Sequence, residues 1–189
     1  MKKKAGIILL TGAYILLLLA MFILPLCDSY DHSITRNTLS YLAGQSHPGS
    51  WIMNSIFATL AISSVISGWG YYEGFAFHRI IMLLFGISLI LAAIINQTHL
   101  TCKVLYYVSE NGWHLYFIST AWLTFIILSF STSLVLEKPS DRLIAIFTGI
   151  SVILLSILVS EADRTAGIWQ RLLFIISFGW MIYTFKPRD

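Results

Sequence analysis

The sequence predicts an all-α polytopic membrane protein, with six transmembrane helices and a short amphipathic helix in the first outer loop, as one domain over residues 1–189. Three observations carry this expectation. Of 189 residues, 57% are apolar and only 11% are charged, against about 25% charged in a soluble domain. Apolar runs of roughly 20 residues, the helical length that crosses a ~30 Å hydrocarbon layer, recur six times. The charged and aromatic residues gather at the ends of those runs, where orientation and interfacial anchoring use them. A soluble helical core would need polar helix faces, and the runs supply none. The net charge of +3 sits in the same end positions, so no nucleic-acid partner is expected, and the natural partner is membrane lipid.

The first span is expected from about Ala5 to Leu26, behind Lys2, Lys3 and Lys4, closing near Pro25. A basic start before an apolar run also describes a signal peptide. This run is too long for one, and no small-x-small pattern precedes Asp28. Cys27 follows Leu26 rather than a small residue, which disfavours a lipoprotein signal, so a retained helix is expected. The second span runs from about Trp51 to Gly70, and its Ser63, Ser64, Ser67 and Gly68 form small pairs four apart that suit close helix approach. The others run from about Ile80 to Gln97, Trp113 to Leu136, Leu143 to Ser160 and Trp169 to Phe185. Short connections make spans two and three, and spans four and five, antiparallel hairpins.

Lysine and arginine near span ends set the expected orientation. With a cytoplasmic N-terminus, the inner side holds Lys2, Lys3, Lys4, Arg79, Lys138, Arg142, Lys186 and Arg188, and the outer side Arg36, Lys103, Arg164 and Arg171. Eight against four places both termini inside, in a plasma or inner cell membrane. His78, Glu73, Glu137 and Asp141 then scatter over short inner loops. Most other polar residues, including His32, His47, His99 and His114, face outward. Any site is therefore expected to open outward.

The polar stretch from Asp28 to Trp51 is the longest polar connection. As a helix from about Ser33 to Ala43, it puts Ser33, Arg36, Asn37 and Ser40 on one stripe. Asp31 or Ser33 would cap its start, and Gly44 would end it.

Three chemistries fit these residues. His32, His47, His99 and His114, with Asp28, Asp31, Glu161 or Asp163, supply the ligand types of a zinc site, which in catalysis uses three protein ligands and a bound water. No His-x-x-x-His or His-Glu-x-x-His spacing sharpens this, and interfacial histidines bonded to loop backbone account for the same residues. His114 lies inside the fourth span and needs a partner, with His99 its expected neighbour. Arg36, Arg164 and Arg171 supply guanidinium groups for a phosphate or carboxylate. Pairing with nearby acids is the competing account, and for Arg171, at the start of the sixth span, an internal partner, for example an outer-loop acid, is expected rather than a ligand. Ser40 as a nucleophile lacks the strand-turn-helix elbow such serines use. Cys27 and Cys102 sit at outer span ends and are expected as separate thiols. A transmembrane haem is not expected, since only His114 clearly lies within a span.

Pro25, then Arg36-Asn-Thr-Leu-Ser-Tyr-Leu-Ala-Gly44, then His47-Pro-Gly-Ser-Trp51-Ile-Met-Asn54, and finally Gly167-Ile-Trp-Gln-Arg171 resemble an uncharacterised family of bacterial and archaeal six-span membrane proteins, domain of unknown function 998. The resemblance covers most of the chain as an order of helices. It implies the six-helix fold and membrane location, supplies no reaction, and points to Asn37, Ser40, Asn54 and Arg171. Relatives often carry a Pro and an Asp after the third span, where this chain reads Asn96-Gln-Thr-His99. A looser likeness to the ceramidase and progestin-receptor group rests on outward Ser, His and Asp alone.

Two functions follow as expectations. One is a pocket, using Arg36, Asn37, Ser40, Asn54 and Arg171, that binds a lipid headgroup or small solute in a transporter-like or accessory role. The other is a metal-dependent intramembrane hydrolase acting on outer-leaflet lipid, using His32, His47, His99 and His114.

Overall fold

The computed structural model describes residues 2–27, 33–44, 49–95 and 108–186. The elements, in order, are α1 (Lys2–Cys27), α2 (Leu39–Leu42), α3 (Ser50–Tyr71), α4 (Ala76–Ile94), α5 (Val108–Val135), α6 (Pro139–Glu161) and α7 (Ala166–Phe185). All but α2 are long and apolar enough to cross a membrane, so the chain is a multi-pass membrane protein. Its exposed surface is correspondingly greasy, with Leu16, Phe22, Leu84, Phe147 and Leu154 all outside the core. Such side chains are stable outward only in lipid.

The six long helices pack as a closed ring, α1 on α3, α3 on α4, α4 on α5, α5 on α6, α6 on α7, and α7 back on α1. The expected hairpins are therefore present, and the 72–75 turn between α3 and α4 uses Gly74 at φ +90, a backbone state that favours glycine. Small residues make the contacts close. Ser63, Ser64, Ser67 and Gly68 are all buried, and a Cβ at Gly6 would meet Ser67 Cα at 3.3 Å. With no hydrophobic drive between helices in lipid, such close packing is a main source of cohesion.

Helix α7 fills the interior. Phe174 stacks on Phe57 of α3 at 5.2 Å and meets Trp122 of α5 edge-on at 5.0 Å. Phe178 reaches Phe85 of α4, and Trp180 reaches Phe125 of α5. These offset and edge contacts add to the area they bury.

At the end of the bundle that carries the termini, Glu73 and Glu137 are exposed in the short connections as expected, whereas His78 and Asp141 are not. Asp141 is buried and accepts from Tyr183 Oη at 2.8 Å. His78 is buried and stacks on Tyr72 at 4.8 Å. Tyr72 Oη lies 2.6 Å from Thr132 Oγ1, whose own proton goes to Leu128 O, so Tyr72 is the donor. Burial raises the Tyr72 phenol above its ordinary pKa and keeps it protonated. Tyr72→Phe is expected to cost about 1 kcal/mol, the net worth of one hydrogen bond. A thermal melt should fall by about 2–4 °C for a chain of this size, and an unchanged melt would remove Tyr72 as a tie between α3 and α5.

The first outer loop departs most from expectation. Instead of a helix over 33–43, a turn at 34–36 is followed by the single helical turn α2. Thr38, extended at φ −71 and ψ 164, caps α2 by accepting from Tyr41 N. Of the caps expected, Ser33 Oγ accepts from Arg36 N at 3.4 Å and so caps the 34–36 turn rather than α2, and Asp31 lies outside the described residues. Leu39, Ser40 and Leu42 are buried beneath the loop, while Arg36 is exposed, so the predicted stripe does not exist. Helix α1 ends at Cys27, two residues past Pro25, and its apolar stretch covers Ala5–Leu26 as expected.

Candidate functional site

Proline has no N–H and leaves the carbonyl four residues earlier without its helical partner. For Pro25 that carbonyl is Met21 O, and Arg171 Nε donates to it at 3.3 Å. Arg171 lies one turn into α7, on the face it shares with Gly167. Its Nη1 is 2.8 Å from Ile34 O, 3.0 Å from Asn37 O and 2.9 Å from Gly167 O. Among the described residues the internal partners of this arginine are thus four backbone carbonyls. Arg171 is only 4% exposed; carbonyl dipoles solvate its Nε and Nη1, while Nη2 is buried without a hydrogen-bond partner among the described residues.

These contacts explain why the loop helix is short. Ile34, Thr35 and Asn37 carbonyls would accept within a continuous helix. Arg171 takes the first and third, and Ile168 N takes Thr35 O at 3.3 Å. Gln170 completes the junction. Its Oε1 accepts from Leu39 N at 2.5 Å, and its Nε2 donates to Ser40 Oγ at 3.2 Å. Leu39 N–H is one of the donors that a helix start leaves open. The loop is therefore clamped onto α7 across the mouth of the bundle.

Beside this clamp lies a cavity of about 430 Å³ between α5, α6, α7 and α2. Its polar lining is Thr38, Ser40, His114, Ser119, Ser156, Ser160 and Gln170, and its apolar wall includes Leu115, Ile118, Trp122, Leu123, Ile126 and Leu173. No charged side chain lines it among the described residues. His114 is 4% exposed, with Nδ1 at 2.9 Å from Ala92 O and 2.7 Å from Ile95 O. It caps the last carbonyls of α4, which no helical N–H reaches. His99, the neighbour expected for His114, lies outside the described residues. His114 Nε2 and Ser156 Oγ are buried with no hydrogen-bond partner among the described residues. Buried polar atoms are nearly always paired, so each such exception calls for a physical account.

The sequence-derived residues thus separate into groups. Ser40 and His114 share the cavity. Arg171 and the Asn37 backbone build the clamp behind it. Asn54 Nδ2 donates to Ala43 O at 3.5 Å, steadying the end of α2. Arg36 is exposed on the turn. His32, His47 and His99, with Asp28, Asp31 and Cys102, lie outside the described residues, so of the zinc set the structure describes His114, which is buried, and Glu161 and Asp163, which are exposed. Among the described residues no three of His, Cys, Asp and Glu converge as a metal site would need. Gln170 and Ser156 were not singled out from sequence. An amide inside a span is a signal that would have found Gln170, whereas nothing distinguishes Ser156 from the packing serines around it.

A family model described as a protein of unknown function (DUF998) matches residues 9–185. No curated protein and no solved structure matches the chain.

Proposed function

The chain belongs to the DUF998 family and spans a membrane six times, and on that footing we propose that it binds the polar head of a lipid or a small solute in the α5–α6–α7 cavity. The protein sits in the cell membrane with both termini cytoplasmic, and the cavity opens toward the outer side, in a transporter-like or accessory role. The orientation rests on the eight basic residues at the termini end against four at the loop end. One observation carries the binding reading: His114 Nε2 and Ser156 Oγ, buried and without partners among the described residues, both belong to residues on the wall of one cavity. The cavity volume of about 430 Å³ falls in the ~300–1,000 Å³ range of ligand pockets, and its apolar wall with a few polar groups is their usual composition.

Filling the space tests this. Native mass spectrometry of protein released from mild detergent is expected to show one retained lipid or solute per chain. Ser156→Trp should lower that occupancy at least about tenfold, equivalent to ~1.4 kcal/mol, with helix content by circular dichroism unchanged. Equal occupancy in both proteins would refute the cavity as the binding place.

A further inference from the structure

We propose that the occupant is a monoacylglycerol, with its uncharged hydroxyl head at the His114 end and its single chain along α5. This rests on the binding reading above and specifies its ligand.

The head follows from the proton on His114. Nδ1 faces two carbonyl oxygens at 2.9 and 2.7 Å, and carbonyls only accept, so Nδ1 carries the hydrogen. In the neutral ring Nε2 is then an acceptor, and it asks for a hydroxyl donor. An ionised phosphate or carboxylate has no hydrogen to give. Ser156 Oγ, the second atom without a partner, both donates and accepts. Ser40 Oγ accepts from Gln170 Nε2, which leaves its own hydrogen to offer. Two hydroxyls and an ester carbonyl match this set, whereas one hydroxyl cannot serve all of it.

Charge gives the same answer. The lining described here holds no cation, and Arg171, whose Nε and Nη1 donate to carbonyls behind the clamp, is not part of it. An anion in such a space would lose hydration with nothing to replace it.

The tail follows from the wall. From Leu115 to Ile126 the α5 lining extends about 16 Å at 1.5 Å per residue, roughly half of a ~30 Å hydrocarbon layer. Leu115 is 49% and Leu123 58% exposed, so this wall is continuous with the lipid-facing surface and a chain can enter from the side. A volume near the low end of ligand pockets suits one chain better than two.

The experiment uses the full chain in nanodiscs with a monoacylglycerol carrying a diazirine on its acyl chain. After illumination, crosslinks are expected on α5 between Leu115 and Ile126. Unlabelled monoolein should displace the probe at a concentration about tenfold lower than oleate or lysophosphatidate, a difference of ~1.4 kcal/mol. Ser156→Ala should weaken monoolein competition about fivefold, the loss of one hydrogen bond. Its melting temperature should hold, because Ser156 Oγ has no protein partner to lose. Equal or better displacement by the charged lipids, or full affinity in Ser156→Ala, would overturn the monoacylglycerol while leaving a ligand in the cavity. Crosslinks spread evenly over all lipid-facing helices would overturn both readings.

Discussion

Replacing Arg171 with leucine is expected to release the loop of residues 33–44 while the six spans stay folded. The substitution strips Met21 O, Ile34 O, Asn37 O and Gly167 O of one charged donor. Hydrogen bonds to charged groups contribute about 1.5–3 kcal/mol each, so losing the two loop contacts alone costs roughly 3 kcal/mol or more. Part of that is offset, because a buried cation no longer has to be held out of water. The offset belongs to the bundle and the loss belongs to the loop, which predicts a local rather than a global effect. Hydrogen exchange of amides 33–44 should speed up far more than exchange in α3 or α5. Arg171→Lys should fall between, keeping the charge but losing the planar fork that serves several acceptors. Unchanged loop protection in Arg171→Leu would mean that α2 is held by Leu39 and Leu42 burial, and the clamp would be incidental.

Gly167→Ala attacks the same junction from the backbone and is expected to rival the arginine. A Cβ there would stand 2.5 Å from both Asn37 O and Ile34 O and 2.9 Å from Arg171 Nη1. Two of those atoms are backbone, so the loop itself must move. Overpacking of this kind costs about 1–3 kcal/mol, and here it also pushes the acceptors away from Arg171. The double variant should therefore lose less than the sum of the single losses, since both remove one contact. Retained ligand per chain should fall in Gly167→Ala, because Ser40 and Gln170 form part of the cavity wall and depend on the clamp. A normal melt with full occupancy would show that α2 tolerates displacement and does not close the cavity.

The loop is also where the sequence was hardest to read. Ser33, Arg36, Asn37 and Ser40 fall on a helical stripe, and a local reading has no reason to break it. The break comes from groups more than 130 positions away, Ile168, Gln170 and Arg171, which take the carbonyls and the N–H that a continuous helix would use. Pro25, near the expected end of the first span, depends on the same remote arginine. The carbonyl it orphans is filled by Arg171, so the helix can run on to Cys27.

Six runs of apolar side chains, each long enough for the hydrocarbon layer, determined by themselves that this chain spans a membrane six times, because lipid leaves a helix no other way to satisfy its backbone. The polar residues had no such local rule. Whether Arg171 meets an acid, a ligand or a carbonyl, and which two of the candidate residues share a cavity, was decided only when α7 packed against the loop and α5. Their partners are remote in sequence, and a buried polar group is defined by what reaches it.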